Sequence, residues 1–153
     1  MIFTRPIDAT NWQDAIRLEV RPEQRHFVPS VAVSLAKAYI KPNGVNYDPI
    51  GIYSESDSAL VGFYSFMYKP HDFRVAYIGG FLIDQACQSK GYGKAAMHHY
   101  LQTVREQLEG VEGVYLTVHP ENVAAEKFYS HFGFRKTGLV IDGEDAMGLT
   151  FNG

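Results

Sequence analysis

The chain has a single cysteine, Cys87, so no disulfide can close within it. A lone thiol suits a reducing compartment, and a cytoplasmic protein is expected. No apolar run approaches the roughly 18–20 residues of a membrane-spanning helix, so no membrane role is expected. The opening Met1-Ile2-Phe3-Thr4-Arg5-Pro6 lacks a charged segment followed by an apolar one, and no signal peptide is expected there. Basic excess is missing too. A net charge of −3 disfavours nucleic acid as a partner and mildly favours a cationic substrate. There is no repeat, low-complexity tract or linker. There is no H-E-x-x-H and no Cys/His cluster, and His98 and His99 point in different directions on a helix, so no metal is expected.

What remains is a chain with apolar residues at 46% and charged residues at 20%, which excludes a disordered protein. Its 153 residues fit one domain, 1–153, with a sizeable core. Residues 2–5 read as a strand, broken by Pro6. A helix capped by Asp8, Thr10 or Asn11 should run to about Glu19, with Trp12, Ala15, Ile16 and Leu18 inside. A second helix should start at about Pro29 or Ser30 and end before Pro42-Asn43-Gly44. Strands follow at residues 49–53, 60–67 and 73–83. The last two are apolar on both faces, as in a sheet covered on both sides. Gly79-Gly80 interrupts the third of these, which suggests a bulge or a close approach by a ligand. Further on, residues 114–118 are strand-like. Ala125, Phe128, Tyr129 and Phe132 share one helical face, with Gly133 as its C-terminal stop. Two last strands, 137–141 and 146–151, flank the acidic turn Asp142-Gly143-Glu144-Asp145. The order predicts an α+β fold: a mixed, mostly antiparallel sheet of about seven strands with helices on both faces.

One stretch organises the rest. Phe81-Leu82-Ile83 ends a strand, residues 88–94 read Gln-Ser-Lys-Gly-Tyr-Gly-Lys, and a helix begins at once with Met97, Tyr100, Leu101, Val104 and Leu108 on its apolar face. Glycines at a strand-to-helix turn let a ligand approach the backbone. The first N–H groups of the helix lack partners within it, and its dipole is positive there. An anion cradle, most naturally for phosphate, is predicted. A P-loop fails, because Ala95 follows Gly93-Lys94 and Gln88 holds the first glycine position. The spacing Gly91-x-Gly93-x-x-Ala96 fits a dinucleotide fingerprint, but Glu112 precedes the next strand and does not end it. An ordinary glycine-rich turn is the plain alternative.

The third pattern is Q/R-x-x-G-x-G/A, met by Gln88, Gly91 and Gly93. It resembles the pyrophosphate loop of the GNAT superfamily of N-acetyltransferases. Downstream, Asn122-x-x-Ala125-x-x-Phe128-Tyr129-x-x-Phe132-Gly133-Phe134 resembles the second half of the same pattern, in the order it requires. Glu23-Gln24-x-x-Phe27-Val28, Ser34-Leu35-Ala36-x-Ala38-Tyr39, Ile50-Gly51-Ile52-Tyr53 and Val61-Gly62-Phe63 look like the bacterial spermine/spermidine acetyltransferases within it. The resemblance implies a GNAT fold, acetyl-coenzyme A as co-substrate, and direct acetyl transfer to a primary amine of a small molecule, with a polyamine foremost. An acetyltransferase of protein N-termini or lysines, and a coenzyme A-binding module without turnover, are the alternatives. A homodimer is left open.

The same resemblance implies residue roles. Tyr129 would give a proton to the departing thiolate. Phe81, Leu82 and Ile83 would offer main-chain groups to the pantetheine arm. Gln88, Ser89, Lys90, Gly91, Tyr92, Gly93 and Lys94 would hold the pyrophosphate, chiefly by backbone N–H groups. Asn122 would bond the pantetheine or cap the last helix. Glu19 and Glu23 lie where the superfamily shapes its acceptor pocket. The general base is not legible, with Glu55, Asp72, Asp84, Asp142, Glu144 and Asp145 as rivals. Tyr39, Tyr53, Tyr64 and Tyr77 could line an amine pocket or pack in the core.

Overall fold

The computed structural model describes residues 1–151. Asn152 and Gly153, which the single-domain expectation included, lie outside the described residues. The elements run β1 (Ile2–Pro6), α1 (Trp12–Ile16), α2 (Val31–Ile40), β2 (Asn46–Ser54), β3 (Leu60–Lys69), β4 (Asp72–Ile83), α3 (Tyr92–Gln107), β5 (Gly113–Val118), α4 (Val123–His131), β6 (Arg135–Ile141) and β7 (Glu144–Thr150). The strands form one seven-stranded sheet in the order β1-β2-β3-β4-β5-β7-β6. Every neighbouring pair is antiparallel except β4 and β5. The α+β expectation holds, with a mixed, mostly antiparallel sheet.

β3 shows why the sheet needs covering on both sides. Val61 through Phe66 are all buried. Alternation sends Phe63 toward α1 and α2, where it packs with Ala15, Leu18, Val31 and Leu82. Tyr64 and Phe66 point the other way, into the larger core with Met97, Tyr100 and Val104 of α3. Tyr100 meets their rings edge-on at 5.3 and 5.7 Å. Such aromatic pairs contribute about 0.5–1.5 kcal/mol each beyond area burial. The α3 face is the expected amphipathic stripe, with Ala96 added and Leu108 at its C-cap.

The N-terminal helices differ from expectation. α1 is one turn long, and Trp12 and Ile16 are exposed while only Ala15 and Leu18 are buried. The chain leaves the helix after Ile16, and the Glu19 N–H is taken by Asp84 Oδ1 at 3.0 Å. Asn11 does not cap by its side chain. It is buried and ties the segment to the sheet, donating Nδ2 to Pro6 O and Tyr53 Oη at 3.1 and 3.0 Å. α2 does begin at a capping serine, Ser30, which accepts from the Val33 N–H. Its buried face is Val31 and Ser34, whereas Tyr39 and Ile40 stand in solvent. β2 is longer than expected and runs through Pro49. Pro49 lies just past the end of β1, where β2 becomes an edge and the missing N–H costs no ladder bond. The last turn is tighter than the acidic tetrapeptide suggested. Asp142 and Gly143 alone make it, both left-handed, and Glu144 and Asp145 already belong to β7.

Two features of β4 position the site. It pairs with β5 only at Val75, Ala76 and Tyr77, and beyond these the two strands part. Opposite, the β3 register slips between Phe63 and Ser65, so β4 carries one extra residue beside Gly80. The bulge expected from Gly79-Gly80 is present. Gly80 has φ +58°, a left-handed conformation that a side chain disfavours.

Candidate active site

Where β4 and β5 part, a cleft of about 1360 Å³ opens between α3, α4, α2 and the β6–β7 hairpin. It exceeds the roughly 300–1,000 Å³ of a drug-sized pocket, so two ligands have room in it. The β4 edge from Ile78 to Ile83 forms one wall, without a partner strand on that side.

Gly91, at φ +88°, is the N-cap of α3. The N–H groups of Gly91, Tyr92, Gly93 and Lys94 donate to no acceptor among the described residues. Gly93 faces Ile83 and Phe128, and a Cβ there would stand 3.7 and 3.8 Å from them, narrowing the cleft. Four free N–H groups on a positive helix end, behind side-chain-free backbone, fit an anion such as a pyrophosphate. The side chains of the loop have different jobs. Gln88 braces it, donating Nε2 to Gln24 Oε1 at 2.9 Å and to Ile83 O at 3.0 Å. Tyr92 donates its hydroxyl to Ser54 Oγ at 3.2 Å. Ser89, Lys90 and Lys94 are exposed. The Ile83 carbonyl is thereby occupied, and the free main-chain edge lies nearer the bulge.

Asn122 is the side-chain cap of α4 and also faces the cleft. Its Oδ1 caps α4, accepting from the Ala125 N–H at 3.2 Å, while Nδ2 has no partner among the described residues and the residue lines the cleft. α4 packs Phe128 and Phe132 into the core and turns Tyr129 to the cleft wall. The Tyr129 hydroxyl makes no hydrogen bond to the described residues. Burial, and secondly the Glu144 charge, push its pKa up to about 12. The phenol is therefore protonated at neutral pH and able to donate.

The opposite wall belongs to the α2 side of the sheet. Ser34 is 3% and Ser65 2% exposed, both line the cleft, and neither hydroxyl has a partner among the described residues. Ser34 Oγ stands 2.7 Å from the position a Cβ on Gly80 would take, directly over the bulge. Lys37, Lys69, Asp142, Glu144, Tyr77 and Thr117 complete this side. Of the candidates Tyr39, Tyr53, Tyr64 and Tyr77, only Tyr77 lines the cleft. Tyr39 is 87% exposed, Tyr53 is buried against Phe3, and Tyr64 lies in the α3 core. Glu19 and Glu23 do not line the cleft, although their neighbours Val20 and Gln24 do. Glu19 stands exposed, 3.9 Å from Arg25. Ser34, Ser65 and Thr117 were missed in the sequence. Only Ser34 carried a signal, a polar residue three positions after Val31 on the inward face of α2.

The family model described as "Acetyltransferase (GNAT) family" matches residues 11–134. A spermine/spermidine N(1)-acetyltransferase of Bacillus subtilis is 32% identical over 137 residues, covering 85% of this chain and 86% of that one. Among solved structures, spermidine N-acetyltransferase from Vibrio cholerae, crystallised with CoA and spermine, superposes with TM-score 0.72 at 18% identity, covering 97% and 95% of the two chains. Ard1 from Thermoplasma volcanium gives TM-score 0.69 at 21% identity, with 99% of each chain covered. At these identities the two structures speak for the fold.

Proposed function

The chain belongs to the acetyltransferase (GNAT) family, and from that premise we propose that its acceptor is a primary amine of a polyamine, spermine or spermidine. It is an acetyl-coenzyme A-dependent N-acetyltransferase. The co-substrate supplies an activated acetyl group as a thioester. The observation that carries the site assignment is the meeting of the free N–H cradle of residues 91–94 and the Tyr129 phenol on the walls of one cleft.

The roles follow from chemistry. The N–H groups at the start of α3 hold the pyrophosphate, helped by the exposed Lys90 and Lys94. The unpaired edge of β4 between Gly79 and Ile83, with Phe81 and Leu82 within it, bonds the pantetheine arm. Asn122 adds its Nδ2. An N–H near the bulge polarises the acetyl carbonyl as charge grows on its oxygen. Tyr129 protonates the thiolate. The polyamine enters from the α2 side. Glu19 and Glu23, exposed beside the cleft-lining Val20 and Gln24, are assigned in this proposal to the distal ammonium groups. The single-domain reading belongs to the same proposal, since the sheet runs from Ile2 to Thr150. A cytoplasmic location is likewise proposed. No helix of the described residues is long and apolar enough to cross a membrane.

The test is a panel of spermine, spermidine, monoamines, amino acids and peptides with acetyl-coenzyme A, read as free thiol at two salt concentrations. Each exposed ion pair contributes about 0–1 kcal/mol, so several must act together on a polyamine. Its KM should rise with salt more steeply than that of a monoamine. Equal salt effects, or a preference for peptides, would reject the polyamine assignment and leave the acetyltransferase.

A further inference from the structure

Glu144 is the first residue of β7 and lines the cleft. Thr117, one strand away on β5, donates its hydroxyl to Glu144 Oε1 at 2.9 Å. This fixes the carboxylate by one oxygen. Oε2 has no partner among the described residues. Glu144 forms no ion pair among the described residues, although Lys37 and Lys69 line the same cleft. Lys136, on the same hairpin, is paired instead with Glu126 at 3.5 Å and Asp145 at 3.7 Å. The Glu144 charge nonetheless reaches across the cleft to Tyr129 and helps hold that phenol protonated. A carboxylate aimed by one oxygen, with the other open to the cleft, offers an acceptor to a cation that enters the space before it. An acceptor ammonium is such a cation.

We propose that Glu144 receives the acceptor ammonium and takes its proton, with Thr117 as the positioning residue that aims the carboxylate. This rests on the amine N-acetyltransferase reading above. The proton count closes as follows. The ammonium gives one proton to Glu144, and the neutral nitrogen attacks the thioester carbonyl carbon. The C–N bond forms and the C–S bond breaks. The nitrogen sheds its second proton to solvent. The departing sulfur takes the Tyr129 proton, and Glu144 returns its own to the tyrosinate. One proton leaves in each turnover, and both side chains are reset.

An alkylammonium near pKa ~10 holds its proton far more tightly than a carboxylate near ~4.3 in water. A carboxylate held against the ammonium in reacting geometry can still take the proton as the nitrogen attacks, because transfer and bond formation are coupled. The other ionisable groups around this part of the cleft are Tyr129 on α4, Lys37, Lys69 and Tyr77 on the same side, Asp142 in the turn, the Asp145–Lys136 pair, and His119, which follows the β5 residue paired with Asp145. His119 Nδ1 accepts from the Glu121 N–H at 3.1 Å, and its ring packs on Phe27. Asp142 is exposed at the hairpin tip and lacks a partner that aims it inward.

The test compares two acceptors with the wild-type enzyme, Glu144→Gln, Glu144→Asp and Thr117→Val. One acceptor is a simple alkylamine, protonated at neutral pH. The other is a fluorinated alkylamine of like shape, already neutral there. Glu144→Gln should lower kcat for the alkylamine by about 10²–10⁴-fold, the usual reach of general base catalysis. It should cost the fluorinated amine less than tenfold. Glu144→Asp should recover part of the loss, and Thr117→Val should show the same amine dependence more weakly. Calorimetry with acetyl-coenzyme A should give unchanged affinity, showing an intact fold. Equal losses for both amines, or a raised KM with kcat intact, would overturn the proton transfer. Failure of the wild type to acetylate the alkylamine and spermine alike would remove the amine-acceptor reading on which the proposal rests.

Discussion

Replacing Gly80 by alanine should destabilise the protein by a amount that depends on Ser34. Two costs are separable at this position. The backbone sits at φ +58°, where an L side chain costs about 1–2 kcal/mol. The new Cβ would also lie 2.7 Å from Ser34 Oγ, a contact that real side chains do not keep. Ser34 must turn away, at a cost on the order of 1 kcal/mol. Together these give about 2–3 kcal/mol, or roughly 4–12 °C in Tm for a domain of this size. Ser34→Ala removes the offending oxygen. The next atoms, Phe63 Cε1 and Ser34 Cβ, are both 3.7 Å away, which is ordinary contact. The Ser34 hydroxyl has no protein partner among the described residues to lose, so Ser34→Ala alone should be nearly neutral. In that background, Gly80→Ala should cost only the backbone share. Urea unfolding of the four proteins in a double-mutant cycle measures the coupling, expected near ~1 kcal/mol. Strict additivity would refute the contact. A cost below about 0.5 kcal/mol for Gly80→Ala in wild-type background would refute the strained backbone as well.

Two other outcomes are expected. Tyr129→Phe keeps the ring against Phe128 and Phe134 and removes only the donor, so turnover should fall about 10²–10⁴-fold at unchanged acetyl-coenzyme A affinity. An unchanged turnover number with chemistry rate-limiting would remove Tyr129 from the mechanism. Alkali should unfold the protein through its buried phenols. Tyr129 is raised to about 12, and burial also pushes up Tyr64 and Tyr100, whose hydroxyl has no partner. Each binds its proton more tightly folded than unfolded, where the value is near ~10. Their contribution is fully present below pH ~10 and declines as pH rises toward the folded values, by on the order of 2 kcal/mol for Tyr129 at pH ~12. Thermal scans should show a Tm flat to pH ~9.5 and falling steeply above, less steeply in Tyr129→Phe. A flat Tm to pH ~11.5 would contradict the burial of these hydroxyls.

The elements legible in the sequence were those with strong internal periodicity. Residues 92–108 announce α3 through five apolar positions on one face, and Gly79-Gly80 announces the bulge. α1 was misjudged because Trp12 and Ile16 sit at helical spacing, yet the chain has only one turn to offer before Asp84 captures the Glu19 N–H. Local pattern cannot see a partner 65 residues away. The glycine-rich turn with free N–H groups at the start of α3 is a local strand–turn–helix property and is legible in the sequence. The opposite wall of the cleft is assembled from α2, β3, β5 and the β6–β7 hairpin, and no spacing rule joins Ser34, Ser65, Thr117 and Glu144. Only the sheet order brings them together. Asn122 was posed as a choice between cap and ligand contact, and the amide has an end for each.

The three-residue seam between β4 and β5 has a mechanical meaning. It divides the sheet into a four-stranded and a three-stranded half, held together along that line by little more than one turn's worth of ladder. On the placement proposed above, a co-substrate in the split would stitch one half to the other, bonding β4 on one side and α4 beyond β5 on the other. It would then behave as a missing length of strand. Loading at a hundred times Kd adds about 2.7 kcal/mol to the folded state. Amide exchange should slow most at the seam, since separation of the halves there is the opening that the splint forbids. On that placement the line of opening and the line of ligand binding coincide, so the loaded protein should be the stiffer of the two.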